Sequence, residues 1–483
     1  MTPTTAHGLA PRVAHAQPFQ PGLVNTPTTH EATQVVQELL YEDYVSHHCF
    51  FNDLGFHNHL PHHLVAAYEM GAPPALLKAI YEELAPTLRP LGREGEDITE
   101  KNWTTRLGDR TAYASYLDFF TQELARSGVE EVIRRYVMAP EANGNGADMF
   151  ARLLGGLLHP FLQVGFGVEF GQDYMVAQGL AMAAVTEPTF VKPLLDAPSN
   201  LPVLPETPTQ GVTLLALLRK VYDSDVLTPS LPYDPNAMFS ARVKKIAENP
   251  AALPELRRIY AQWSIDTTPS SPPTEFDAKI TECILQSTLL LCGTSKPNRP
   301  PRLDFFLMHL LTAALVLPSV LKVLPERGHK AQMLQGYART SALVVLTRGR
   351  PRIDIPLLMS YPDNPRPPQG VGVGGPDALG ADSPNPWLAI VHNALHHKDA
   401  HLLKVIRTLY YAAQRLGCTP PGGFVGARDK DGAETHEGAG VLDGSVFVRG
   451  AGVVCAGMGW VAFGGREGGW DRSALGWEGA WEE

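Results

Sequence analysis

His401 and Lys404 lie three residues apart in the run from His397 to Arg407. That spacing is just under one helical turn, so an imidazole and an amine share a face and can reach one point. Leu402, Leu403 and Val405 surround them, which puts that point inside the protein. Three more histidines sit in apolar surroundings: His59 after Asn58, His159 in Leu158-His159-Pro160, and His309 in Met308-His309-Leu310. A buried imidazole needs a carbonyl, a carboxylate or a metal as partner. One such residue is ordinary core chemistry; four from separate apolar segments, one beside a lysine, suggest a shared metal.

Lys404 decides what kind of metal site this would be. A protonated lysine repels a dication, but burial near a cation lowers its pKa, and the neutral amine can add carbon dioxide. The resulting carbamate offers an anionic oxygen in place of the carboxylate of a His/carboxylate iron site. Four imidazoles plus that oxygen suit Fe(2+), with a position left for dioxygen or substrate. The plainer alternatives are a snorkelling lysine or one paired with Asp399 or a nearby Glu, and carbonyl-bonded core histidines. Another first-row ion, such as zinc in a hydrolase, also fits a His-rich set. Within the cluster His57, His59, His62 and His63, His59 is the favoured ligand and the others are assigned supporting or pocket positions.

The elements that must carry these residues read as helices. Helical apolar spacing marks 32–50, 61–82 broken at Gly71-Ala72-Pro73-Pro74, 110–137, 147–163, 171–186, 211–223, 239–262, 275–291, 303–325, 331–347 and 386–417. Residues 1–31 read as a flexible lead-in, 349–385 as an irregular Pro/Gly-rich stretch, and 419–483 as a Gly/Trp-rich end in which Ser445-Val446-Phe447-Val448 could pair as a short strand. The expectation is a mainly α, multi-helix globular body, with 32–483 as one catalytic domain.

Composition narrows the function. A net charge of -10 argues against nucleic acid as partner. No run of about 18 uninterrupted apolar residues is present, so no membrane span is expected. The N-terminus lacks an apolar signal core. Five scattered cysteines without a CxxC pair disfavour a disulfide framework or thiolate zinc site and suit a reducing, cytoplasmic setting. Gly370-Val371-Gly372-Val373-Gly374-Gly375 matches GxGxxG as a string, but it stands between prolines with no strand before it or helix after it, so a dinucleotide site is not expected.

Several rare strings occur in an order that resembles the questin oxidase-like family. They are Gly55-Phe56-His57-Asn58-His59-Leu60-Pro61-His62-His63-Leu64 with Ala66-Ala67-Tyr68, then Trp103, Leu107-Gly108 and Tyr116-Leu117 with Phe119-Phe120. His159-Pro160 with Gly165 to Phe170, Asp304 to His309, Asp399 to Lys404 with Arg407, and Gly476-Trp477 to Trp481 follow. Fungal members of that family oxidatively open an anthraquinone ring in polyketide pathways. The resemblance implies an oxidoreductase that uses O2 to convert an anthraquinone such as questin to a benzophenone. Members have been labelled NADPH-dependent Baeyer–Villiger monooxygenases. The residues here favour a non-heme iron dioxygenase, with His59, His159, His309, His401 and a carboxylated Lys404 as ligands and NADPH serving a separate quinone reductase. Phe56, Tyr68, Phe166 and Phe305 are then the expected substrate pocket, and His63 the candidate acid/base. A metal-free Baeyer–Villiger oxygenase and a non-enzymatic helical polyketide-binding protein are the competing readings.

Overall fold

The computed structural model describes residues 18–92, 96–195, 212–229, 232–272, 274–368 and 385–482. These residues form α1 (His30–Ser46), α2 (Leu60–Glu69), α3 (Pro74–Leu84), α4 (Tyr113–Ile133), α5 (Met149–Leu154) and α6 (His159–Phe170). Next come α7 (Asp173–Val185), α8 (Leu214–Asp223), α9 (Phe239–Glu248), α10 (Ala252–Tyr260), α11 (Glu275–Cys292) and α12 (Phe305–Lys322). The last are α13 (Arg327–Thr347), α14 (Ile355–Ser360), α15 (Pro386–Leu395), α16 (Ala400–Leu416) and α17 (Val446–Met458). Among the described residues there is no strand, only isolated bridges such as Phe50 with His57 and Asp304 with Asp471. The protein is mainly α, as its periodicity predicts.

The centre is built from helices apolar on nearly every side. α6 packs on α7 and α12, and α12 is flanked by α11, α13 and α16; α16 lies on α2 and α17. Glycines make the closest approaches possible: a Cβ on Gly165 would overlap Val316 of α12, and one on Gly167 would overlap the backbone of α7 at Val176. α12 is long and apolar enough to cross a bilayer by composition, yet 78% of it is buried within the molecule. Its hydropathy is that of a core helix enclosed by others.

Four expectations about elements are corrected. The 147–163 segment is not continuous: the chain breaks after Leu154, and Gly156, Leu157 and Leu158 take positive φ values of 53°, 55° and 66° before α6 begins at His159. The 239–262 segment divides at Asn249-Pro250-Ala251, where proline has no N–H to give and the Asn249 side chain accepts from Ala251 N. The 386–417 segment divides at His396–Asp399, so His397 and Lys398 precede α16. Residues 445–448 do not pair as a strand, because Val446 to Val448 open α17. There Gly450 lets the helix approach Cys292 of α11, and tertiary packing overrides local β preference.

Of the expected lead-in, residues 1–17 lie outside the described residues, as does the GxGxxG string. Residues 18–29 are packed: Phe19 stacks on Phe170 at 5.0 Å, and Val24 N donates to the buried Glu69 at 2.7 Å.

Candidate metal centre

Four helix N-terminal ends carry the four histidines. His59 is the N-cap of α2, His159 the first residue of α6, His401 the second of α16, and His309 lies in the opening turns of α12. Each start is locally fixed. Asn58 accepts from Leu60 N at 2.8 Å and donates to the buried Asp43 at 2.7 Å, setting His59 beside it. Asp304 caps α12 through Phe306 N and Leu307 N and is held by Arg348 at 2.7 Å. Asp399 caps α16. The left-handed turn at 156–158 is a strained conformation for two leucines, and it aims the Gly156 carbonyl at His159.

The ligand nitrogens of His59, His159, His309 and His401 all lie within 4.8 Å of one another. His59 Nε2 is 2.9 Å from His159 Nε2 and 3.1 Å from His401 Nε2. These are separations of neighbouring ligands on one ion with metal–imidazole bonds of about 2.1 Å.

The tautomers follow from the second nitrogens. His159 Nδ1 meets Gly156 O at 2.7 Å and His309 Nδ1 meets Phe305 O at 2.8 Å. A carbonyl only accepts, so both Nδ1 atoms donate. His401 Nδ1 donates to Asp399 Oδ1 at 2.9 Å. Burial pushes the Asp399 carboxyl up, but the hydrogen bond and charge of His401, with a bond from Trp470, outweigh it and hold the group well below the carboxylate range. The Nε2 lone pairs of His159 and His401 therefore both meet His59 Nε2, and a single N–H there can satisfy one of them. His309 Nε2 is buried with no partner. Converging buried lone pairs fit a cation, and the Nδ1 partners are the outer hydrogen bonds that orient metal-bound imidazoles.

Electrostatics keep the imidazoles neutral. Burial, then neighbouring imidazoles and Lys404, lower His59, His159 and His309 well below the usual value; burial and Lys404 bring His401 to about 4. The adjoining helix N-termini act in the same sense. Lys404 is 1% exposed, its Nζ has no hydrogen-bond partner, and burial lowers it from 10.5 to about 7 despite the pull of Asp399. The ion-paired alternative therefore fails: among the described residues neither Asp399 nor any glutamate forms a salt bridge with Lys404.

The other predicted residues divide. Phe305 is at the centre, 4.9 Å from His309 and 5.2 Å from His401 by ring centroids. Phe166 is one layer out, against His62 at 5.2 Å. His63 is buried, both ring nitrogens lack partners, and burial and Lys404 bring it to about 4. His57 stacks on His159 at 4.0 Å and 5°. Two residues are not brought to the centre. Phe56 is 47% exposed on the hairpin between Phe50 and His57. Tyr68 lies about 13 Å along α2 from His59 and engages Phe19 and Thr33 instead.

Sequence reasoning missed Asp399 as the residue that orients His401, although an Asp two positions before a helical His is a readable capping signal. It also missed Trp470, whose indole N–H donates to Asp399 Oδ2 at 3.1 Å from 71 residues away.

The questin oxidase-like family model matches residues 56–409, a span containing all four histidines and Lys404. The chain is 27% identical to a questin oxidase of Aspergillus fumigatus and 24% identical to one of Aspergillus terreus, each over 78% of this chain and 80% of the relative. It is 23% identical to a Baeyer–Villiger oxidase of Pestalotiopsis fici, with the same coverage. An oxidoreductase of Aspergillus parasiticus is 27% identical over 78% of this chain and 72% of its own length. The chain thus belongs to the questin oxidase-like family and is an oxidoreductase.

Proposed function

We propose that this protein is a non-heme iron dioxygenase that opens the central ring of an anthraquinone, taken as its hydroquinone, to a benzophenone carboxylic acid in fungal polyketide biosynthesis. The observation that carries the reading is the meeting of four neutral imidazoles beside a buried, unpartnered Lys404. The names of the relatives supply the substrate class.

His59, His159, His309 and His401 would hold the metal, with Lys404 as fifth ligand after its neutral amine adds carbon dioxide and releases a proton. Bound ferrous iron supplies the redox access to dioxygen that these side chains lack. The chain's own residues do the rest. Phe305 meets His309 and His401 at steep interplanar angles of 73° and 69° and offers an aromatic wall. Neutral His63 can take a phenolic proton. Asp399 keeps His401 in one tautomer. The hydroquinone plus O2 already has the composition of the hydroxylated keto acid, so no further reductant enters, and NADPH is needed only by a separate quinone reductase.

The names of several relatives favour a second reading, an NADPH-dependent Baeyer–Villiger oxygenation followed by lactone hydrolysis. Turnover of the reduced anthraquinone under ¹⁸O₂ separates the two. The dioxygenase places both labelled atoms in the product; the Baeyer–Villiger route places one there, sends the other to water and consumes NADPH. A single label would overturn the proposal, and so would absence of turnover by iron-loaded protein.

A further inference from the structure

The segment Trp470-Asp471-Arg472 comes from beyond the region matched by the family model, yet it closes one side of the metal centre. Trp470 holds Asp399. Asp471 exchanges backbone hydrogen bonds with the start of α12: its N–H donates to Leu303 O and its carbonyl accepts from Phe305 N, both at 2.8 Å. The Arg472 carbonyl accepts from Arg348 at 2.8 Å. The backbone of Arg472 is therefore fixed while its side chain stays exposed.

Three arginines meet at this corner, and their partners differ. Arg348 is paired with Asp304 and Arg302 with Asp471. Arg472 has no carboxylate within salt-bridge distance and donates no hydrogen bond among the described residues. Its guanidinium lies over the face of Phe305, 4.2 Å from the ring centroid. Phe305 in turn lies against His309 and His401. A guanidinium stacked on an aromatic face keeps its in-plane N–H groups free, in a fork that matches a carboxylate or pairs with a phenolate.

Resting on the aromatic-substrate reading, we infer that Arg472 is a specificity-determining residue, which binds an anionic oxygen substituent, phenolate or carboxylate, on the fused-ring substrate as that substrate packs beside Phe305. The pinned backbone fixes where the cation stands, and its lack of an internal anion leaves the charge for a ligand. The reading assigns the Gly/Trp-rich C-terminal part a direct share in substrate choice.

The test compares anthraquinone-2-carboxylate with its neutral carboxamide as probes of the full chain, by quenching of tryptophan fluorescence without oxygen. Native protein should bind the carboxylate about tenfold more tightly than the amide. Arg472→Gln should bring the two affinities together by weakening the carboxylate alone, and Arg472→Lys should keep part of the preference. An unchanged ratio in Arg472→Gln would overturn the role of Arg472 while leaving the aromatic substrate intact. Failure of native protein to bind either probe would remove both. Arg472 is exposed, so an unchanged melting temperature is expected and checks that the comparison is between folded proteins.

Discussion

Asp399 and His401 are joined twice: one carboxylate oxygen accepts the backbone N–H of His401 at 2.7 Å and its ring Nδ1–H at 2.9 Å. The same contact caps α16 and directs His401 Nε2 toward the other three histidines. Helix start and imidazole orientation are thus one device, with Trp470 bracing the second oxygen.

Asp399→Asn separates those two duties. Asparagine caps a helix about as well as aspartate, but it gives the ring a weaker, neutral acceptor. Iron affinity, measured by titration, should fall about 10- to 100-fold while helical content and melting temperature stay near native values. Unchanged affinity would mean that His401 needs no orienting partner.

Lys404 should govern the pH dependence of metal loading. Its folded value is about 7, whereas His401 and His63 are at about 4, so on acidification the amine protonates first and can no longer take up carbon dioxide. Iron binding in bicarbonate buffer should weaken as pH falls through about 7. In the metal-free chain the depressed lysine binds fewer protons than its unfolded counterpart between about 7 and 10.5, so stability should rise with pH across that window. Lys404→Ala should lose iron and turnover and show neither pH effect. Loading that is flat from neutral pH down to that of His401 titration would contradict the assignment.

Arg407 should matter for stability rather than for the metal. It is fully buried between Glu69 and Glu169, and those carboxylates accept the backbone N–H groups of Leu23, Val24 and Asn25. Arg407→Met strands two buried carboxylates and should cost about 3–5 kcal/mol in denaturant unfolding. A loss below about 1 kcal/mol would show that water reaches the pair.

Gly165→Ala tests the packing that brings α6 and α12, and with them His159 and His309, together. The added Cβ overlaps Val316, and overpacking of this kind costs about 1–3 kcal/mol. Thermal unfolding should register that loss, and iron affinity should drop with it as the two histidines separate.

The four histidines were legible as a candidate site because an imidazole that its segment buries demands a partner: His159 and His309 are lone ones in apolar runs, His401 shares a helix face with Lys404, and His59 stands in a cluster of four. Helices were legible for the same reason that hydropathy has a period. What escaped was set by contacts distant in the chain. Phe56 and Tyr68 are aromatic neighbours of His59 in sequence, but the hairpin turns one outward and the length of α2 carries the other away. Val446 to Val448 have β-branched character that packing on α11 and α16 overrides. The break before His159 depends on two leucines in left-handed conformations, which no residue preference announces. Trp470 reaches Asp399 only because the C-terminal segment folds back onto the start of α12.

One iron ion is expected among His59, His159, His309, His401 and a carboxylated Lys404. Anomalous scattering from crystals of active protein, recorded on both sides of the iron absorption edge, decides whether that ion is there. A single strong peak among the four Nε2 atoms, with density for a carbamate extending from Lys404 Nζ, is the predicted result. Fully active protein with no peak there, or a bare lysine turned away from the metal, would contradict it.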